Sequence, residues 1–237
     1  MKNADRLLLV GRTPERWRLD AITLTSRHGW LMSRWTKFHD LRVFLAAVRR
    51  HPAAVGAIAP SGLALARLLA TVVPSTGAPT AVELGPGTGS VTKAVQRRIP
   101  AAGRHLAVEI DANLVEHLRS AHPRLDVIHG DAAELAELLA DCGVEEVDAV
   151  ISSLPWSLFP EELQQTILGQ ASRALTPAGV FTSFAYVHAV GMKQARNFRA
   201  LLDRSFDEVI VSNMVWTNVP PAVIYVCRRP ILGGHPG

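Results

Sequence analysis

The stretch Val82-Glu83-Leu84-Gly85-Pro86-Gly87-Thr88-Gly89-Ser90-Val91 decides how the rest of the chain is read. An apolar run ends in a carboxylate, three glycines alternate, and a helix-forming segment begins at Ser90. Glycine has no Cβ, so such a turn between strand and helix lets backbone N–H groups approach a ligand closely. The Gly-Lys-Ser/Thr ending of a phosphate-binding loop is absent, and an acid, Glu83, leads the turn.

Downstream, helical and extended patterns alternate. Helices are expected over 90–98, 112–121, 131–139, 161–175 and 194–202, and strands over 105–110, 125–128, 147–151 and 179–186. Two apolar runs, 208–216 and 222–227, close the pattern with only Thr217-Asn218-Val219-Pro220-Pro221 between them. Alternating strands and helices predict a parallel sheet with right-handed crossovers. The tight final return predicts that the last strand runs antiparallel. With the strand ahead of the glycines this makes a seven-stranded, doubly wound, Rossmann-like α/β sheet.

Upstream, Met1 to about Arg27 carries mixed charge and no sustained period. From Trp30 to Arg50, aromatic and aliphatic residues recur near helical spacing, but Arg34, Lys37, Arg42 and Arg49 fall inside the apolar arc. Long basic side chains on an apolar face suit snorkelling at an anionic membrane surface, and they equally suit a helix or lid packed on the domain that follows. His51-Pro52 ends this segment, because the residue before proline avoids the α region. A loop at 56–61 leads into a helix through about Val73, with Ser61 a candidate cap, and 74–79 is a linker. The chain therefore divides into an amino-terminal extension, 1–78, and a main domain, 79–237.

Ligands of open α/β sheets bind beyond the carboxyl ends of the strands, so each end is a candidate site. The second strand ends in Glu109-Ile110-Asp111, placing a carboxylate 26 residues after Glu83, where it can accept both hydroxyls of a ribose. Asp111 suits a helix cap better. At the third end, Asp131 beside Ala132 can accept from an adenine amino group, cap the next helix, or do both. The fourth end, Ser152-Ser153-Leu154-Pro155-Trp156, offers two hydroxyls, a rigid proline and a large aromatic where a group acceptor would sit. The fifth brings Tyr186 and His188 to the same mouth.

Composition sets the outer bounds. The 237 residues are 48% hydrophobic and 19% charged, enough for a sizeable core and against global disorder. A net charge of +4 fits an anionic partner, nucleic acid or membrane, or simply a mildly basic enzyme. Cys142 and Cys227 stand far apart with no C-x-x-C spacing, so neither a disulfide framework nor a metal site is expected, and a reducing cytoplasm is the default. No apolar run approaches the ~20 residues of a spanning helix, so any membrane contact is expected to be peripheral.

The spacing Glu83-x-Gly85-x-Gly87-x-Gly89 resembles the loop of S-adenosylmethionine (SAM) binding proteins, whose ligand is cationic at sulfur and ammonium. With the strand-end signals, the chain resembles a class I SAM-dependent methyltransferase. More finely, Gly56-Ala57-Ile58-Ala59-Pro60-Ser61, the glycine turn, Ser153-Leu154-Pro155 and Asn218-Val219-Pro220-Pro221-Ala222 resemble the bacterial phosphatidylethanolamine N-methyltransferases. That family commonly has Gly before Leu-Pro, where this chain has Ser153. The resemblance implies cofactor contacts at Glu83, Gly85, Gly87, Thr88, Gly89, Glu109, Ile110, Asp131, Ala132 and Ser152, and acceptor-side roles for Ser153, Tyr186 and His188. It implies methyl transfer from SAM to the amine of a phospholipid head group, with Trp156 and Tyr186 facing methylated cations, and no nucleic-acid partner. Ser153-Leu154-Pro155-Trp156 is also similar to the Asn-Leu-Pro-Tyr signature of RNA adenine dimethyltransferases, with Ser in place of the amide and Trp in place of Tyr. A soluble small-molecule methyltransferase and a non-catalytic SAM- or lipid-binding protein are the other readings.

Overall fold

The run ahead of the glycine turn forms the central strand. In the computed structural model, which describes residues 62–231, β1 (Thr80–Leu84) pairs in parallel with β2 (Arg104–Glu109) on one side and β4 (Val147–Ser152) on the other. The amino-terminal arm, the aromatic and basic segment over 30–50 and the loop at 56–61 lie outside the described residues. Ala81, Val82, Glu83 and Leu84 are all buried, as a central parallel strand covered on both faces requires.

The sheet has seven strands in the order β3-β2-β1-β4-β5-β7-β6. The remaining strands are β3 (Asp126–His129), β5 (Leu175–Tyr186), β6 (Phe206–Val211) and β7 (Ala222–Pro230). The chain winds outward from β1 to β3 and then restarts on the other side of β1 with β4, so the switch point lies between β1 and β4. As expected from sequence, β7 runs antiparallel, both to β5 and to β6.

The pleat sends alternate residues to two helical layers. Val82, Leu84, Leu106, Val108, Val150 and Phe181 pack with α4 (Leu135–Asp141), α5 (Glu161–Ala174) and α6 (Lys193–Ser205). Ala81, Ala149, Ile151, Ile224 and Val226 pack with α1 (Leu63–Leu69) and α2 (Ser90–Arg98). Sequence assigned α1 to the amino-terminal extension, yet Leu65, Ala66 and Leu69 are buried in the same core as Val91 and Val95 of α2. The remaining helix, α3 (Ala112–Ala121), starts where the Asp111 carboxylate accepts from the backbone of Asn113 and Leu114 at 3.0 and 3.1 Å.

Three local expectations are corrected. The helix expected over 131–139 opens instead as a single 3₁₀ turn, Ala132–Glu134, before α4, because Asp131 turns back to accept from Ala133 N–H at 2.8 Å. The return between the last two strands is longer than five residues. β6 ends at Val211, and the ladder is interrupted where Ser212 Oγ accepts from Ile224 N–H at 2.9 Å, before a lone bridge at Val215. Trp156, expected at a head-group pocket, is only 2% exposed. Its indole stacks on Phe198 with centroids 4.2 Å apart and meets Phe159 and Phe181 edge-on.

This aromatic cluster ties the β4 loop to α6, so its loss should be felt globally. Phe198→Ala is expected to cost about 3–5 kcal/mol of unfolding free energy, measured as a lower urea midpoint with unchanged slope.

Candidate cofactor and acceptor site

Four strand ends are stitched together at the switch point. Gly85 N–H donates to Val108 O at 3.0 Å, Gly130 N–H to Glu109 O at 3.1 Å, and Ser153 N–H to Leu84 O at 2.9 Å. These bonds carry the sheet pairing past the strands and into the loops that follow β1, β2, β3 and β4.

All three glycines of the turn have positive φ: 68° at Gly85, 59° at Gly87 and 82° at Gly89. L residues with a Cβ avoid this region. A Cβ on Gly85 would stand 2.8 Å from Leu154 Cδ2, and one on Gly89 would stand 2.6 Å from His122 Nε2. Gly87 differs, since nothing lies within 4 Å of the position its Cβ would take. Its open side, beside exposed Thr88, is the cradle into which a ligand can descend.

The Glu109 carboxylate borders that cradle. One oxygen accepts from Gly87 N–H at 3.1 Å, and the other from Ile110 and Asp111 N–H at 3.0 and 3.1 Å. It is 5% exposed, and its carboxylate is met by three backbone N–H dipoles. Asp131, one strand further out, caps its turn while staying partly exposed, beside buried Ala132.

Two residues expected at the cofactor are buried in this structure. Glu83 is fully buried on the α2 side of β1: its Oε2 accepts from Thr92 Oγ1 at 2.7 Å and lies 3.4 Å from His105 Nε2. Strand alternation turns this side chain under the loop, so it braces the turn from below. Ser152 is also fully buried, and its Oγ accepts from Trp156 Nε1 at 3.0 Å, which fixes the core indole.

On the acceptor side, Ser153 follows β4 and its Oγ is a buried hydroxyl with no hydrogen-bond partner among the described residues. Tyr186 ends β5 and His188 lies in the 3₁₀ turn after it; their rings are nearly parallel, with centroids 5.7 Å apart and planes 12° apart. Phe184 meets Tyr186 edge-on at 5.3 Å. Burial pushes the Tyr186 phenol above its ordinary value, so it stays protonated, while His188 is exposed.

Sequence reasoning missed two residues. His122 closes α3, bonds Gln96 Oε1 through Nδ1 at 3.0 Å and packs its Nε2 edge under Gly89. Only the His-Pro step that ends the helix hinted at it. Asn218, read as turn filler, is 2% exposed; its Oδ1 accepts from Gly62 N–H at 2.8 Å and its Nδ2 donates to Pro220 O at 2.7 Å. It thus pairs the backbone N–H just ahead of α1; Ser61, the expected cap, lies outside the described residues.

A glycine cradle open only at Gly87, a carboxylate at its lip and a second acid one strand outward match a nucleoside bearing positive charge. A family model described as a methyltransferase domain matches residues 81–179. An ornithine lipid N-methyltransferase from Singulisphaera acidiphila is 33% identical over 194 residues, 80% of this chain and 96% of that one. The chain is a class I SAM-dependent methyltransferase. This methyltransferase also shares 33% identity over 101 residues with ribosomal RNA small subunit methyltransferase A of Mycoplasma mycoides, covering 41% of this chain and 36% of that one. The structure of human methyltransferase-like protein 13 in complex with SAH shares its fold, with a TM-score of 0.52 at 23% identity over 72% of this chain and 80% of that one.

Two outcomes follow from the loop geometry. Gly89→Ala, strained by φ and driven into His122, is expected to weaken binding of S-adenosylhomocysteine by about tenfold or more, an effect of roughly 1–2 kcal/mol, measured by titration calorimetry. Burial, with Lys93 next in size, holds His122 below its ordinary value, against an opposing pull from Glu83. The unfolded chain then takes up this proton first, so the stability His122 contributes is complete above about pH 6.5 and is lost as pH falls below it. Urea midpoints at about pH 7.5 and about pH 5.5 should differ more for the wild type than for His122→Asn.

Proposed function

We propose that this methyltransferase methylates the amine of a membrane-lipid head group, phosphatidylethanolamine and its methylated forms or an ornithine-type aminolipid, as a peripheral enzyme at the cytoplasmic membrane surface. The observation that carries this reading is the 33% identity spanning 96% of a lipid N-methyltransferase. The shared chemistry of the two lipids is a primary ammonium on a short flexible arm. No helix among the described residues is long and apolar enough to cross a membrane, and the aromatic and basic stretch over 30–50 is the proposed anchor.

In this reading the Gly85–Gly89 turn, with Gly87 open and Thr88 at the rim, holds the SAM methionine and ribose side. Glu109 accepts the ribose hydroxyls, Ile110 and Ala132 flank the base, and Asp131 accepts from its amino group. SAM supplies a methyl on a sulfonium that is already a good leaving group, so alignment matters more than activation. The acceptor is the harder problem, since an alkyl ammonium titrates near ~10 and has almost no free lone pair at neutral pH. Ser153 Oγ, buried and without a partner among the described residues, accepts an N–H of the amine and orients its lone pair. His188, exposed beside the mouth, takes the released proton to water. Tyr186, kept neutral by burial, offers an O–H donor and an aromatic face to the cationic products.

The RNA reading loses its aromatic platform, because Trp156 is stacked in the core and cannot receive a base. The test is methyl transfer from labelled SAM to vesicles of phosphatidylethanolamine, vesicles containing ornithine lipid, and RNA. Incorporation into either aminolipid supports the proposal, and incorporation into RNA alone contradicts it. Ser153→Ala is expected to lower kcat by about ten- to hundredfold, the worth of one hydrogen bond to a charged group. His188→Ala and Tyr186→Phe should each reduce turnover, and wild-type rates in both would remove them from the mechanism.

A further inference from the structure

The exposed large hydrophobic residues are not scattered. Of seven among the described residues, five lie at the mouth end of β5: Leu63, Val190, Met192, Trp216 and Val219. Trp216 and Val219 are 72% and 80% exposed. Three segments carry these five residues, and hydrogen bonds join the segments. Gly62 N–H donates to Asn218 Oδ1 at 2.8 Å, and Val187 N–H donates to Pro221 O at 2.9 Å. Tyr186, which pairs with Ala222, stands at the centre of this rim.

The turn over 216–219 is inverted relative to a water-facing loop. Thr217 is exposed, but Asn218 is 2% exposed with its Oδ1 and Nδ2 both hydrogen-bonded, while Trp216 and Val219 point out. A turn built to face water places its polar groups outward and its apolar ones inward. Here a buried amide fixes the backbone so that an indole and a valine are presented together. Trp is suited to the boundary between lipid head groups and acyl chains, where one end is apolar and the other wet.

The charge beside this rim has the matching sign. Val190 and Met192 run directly into α6, whose first turn holds no acid and carries exposed Lys193 followed by exposed Arg196. Basic residues at a helix amino terminus oppose the macrodipole, so together they make a positive field that an anionic surface would relieve, offset in part by Glu161 of α5, which accepts from Asn197 Nδ2 at 2.9 Å.

We propose that the 216–219 turn, with Leu63, Val190 and Met192 around it, inserts into an anionic lipid bilayer, so that the membrane itself closes the acceptor mouth. The proposal rests on the lipid-amine reading for its purpose, since a head group then reaches Ser153 without leaving the bilayer. It assigns a second membrane contact, on the catalytic domain, separate from the stretch over 30–50.

The test uses the full-length protein and the double variant Trp216→Ser/Val219→Ser. Co-sedimentation with vesicles of phosphatidylglycerol, which carry no amine, measures insertion apart from substrate recognition. The double variant is expected to lose vesicle affinity by about ten- to hundredfold, as apolar area once inserted stays in water, with an unchanged melting temperature. Its kcat on a monomeric, short-chain aminolipid should match the wild type, while its rate on vesicle lipid falls. Wild-type vesicle affinity in the variant overturns the proposal. So does a change of oligomeric state in the variant, or Trp216 emission that is already blue-shifted and does not respond to vesicles, since either means that protein covers the rim. If affinity falls but neither lipid is methylated by the wild type, the rim stands and the substrate reading fails. If lipid methylation and binding are both unaffected, the rim fails and the substrate reading stands.

Discussion

Three backbone N–H groups converge on the carboxylate of Glu109, one from Gly87 in the turn after β1 and two from Ile110 and Asp111 after β2. That convergence binds the first strand–helix turn to the second strand end, and the space it leaves open beside Gly87 is the proposed cofactor cradle. The bonds are charge-assisted and largely dry, the condition in which each is worth most. The turn can take this path only because Gly85, Gly87 and Gly89 tolerate positive φ, and because Leu154 and His122 fill the space a Cβ would need at the outer two. The first interaction sets the lip of the site, and the packing below it keeps the lip in place.

The two halves of the site are supported differently. On the cofactor side, Glu83 and Thr92 brace the turn from beneath, and Asp131 fixes the third loop by capping its own 3₁₀ turn. On the acceptor side the support is aromatic. Trp156 turns inward onto Phe198, its indole N–H held by Ser152, and leaves the neighbouring Ser153 hydroxyl buried without a partner among the described residues. A buried unpaired hydroxyl costs free energy in isolation, which makes it a marker for a polar ligand. Beyond it the Tyr186–His188 stack and the apolar rim face outward, so polarity changes within one mouth from a nucleoside cradle to a lipid-like surface.

Much of the fold was legible because its signals are local. The alternation of apolar runs with helical periods located all seven strands, and the lack of a helical period between the last two apolar runs was enough to give β7 its antiparallel direction. Glu109 was legible for the same reason, as an acid at a strand end. What sequence could not supply was the direction of a side chain where periodicity is weak. Glu83 precedes the turn by two residues, yet strand alternation sends it under the loop. Trp156 looks like a surface aromatic after a proline, yet a single 3₁₀ turn, Trp156–Leu158, sets it into the core. Asn218 and His122 act through partners 156 and 26 residues away, separations that no local pattern encodes.

The central claim is that Glu109 organises the cofactor cradle, and calorimetric titration of S-adenosylhomocysteine into the wild type and Glu109→Ala tests it most directly. Loss of charge-assisted bonds worth about 1.5–3 kcal/mol each leaves three backbone N–H groups unpaired, and predicts a lower melting temperature together with affinity weaker by about a hundredfold or more at a temperature where the variant is folded. Equal affinity in the two proteins would contradict the claim and move the organising interaction elsewhere in the turn.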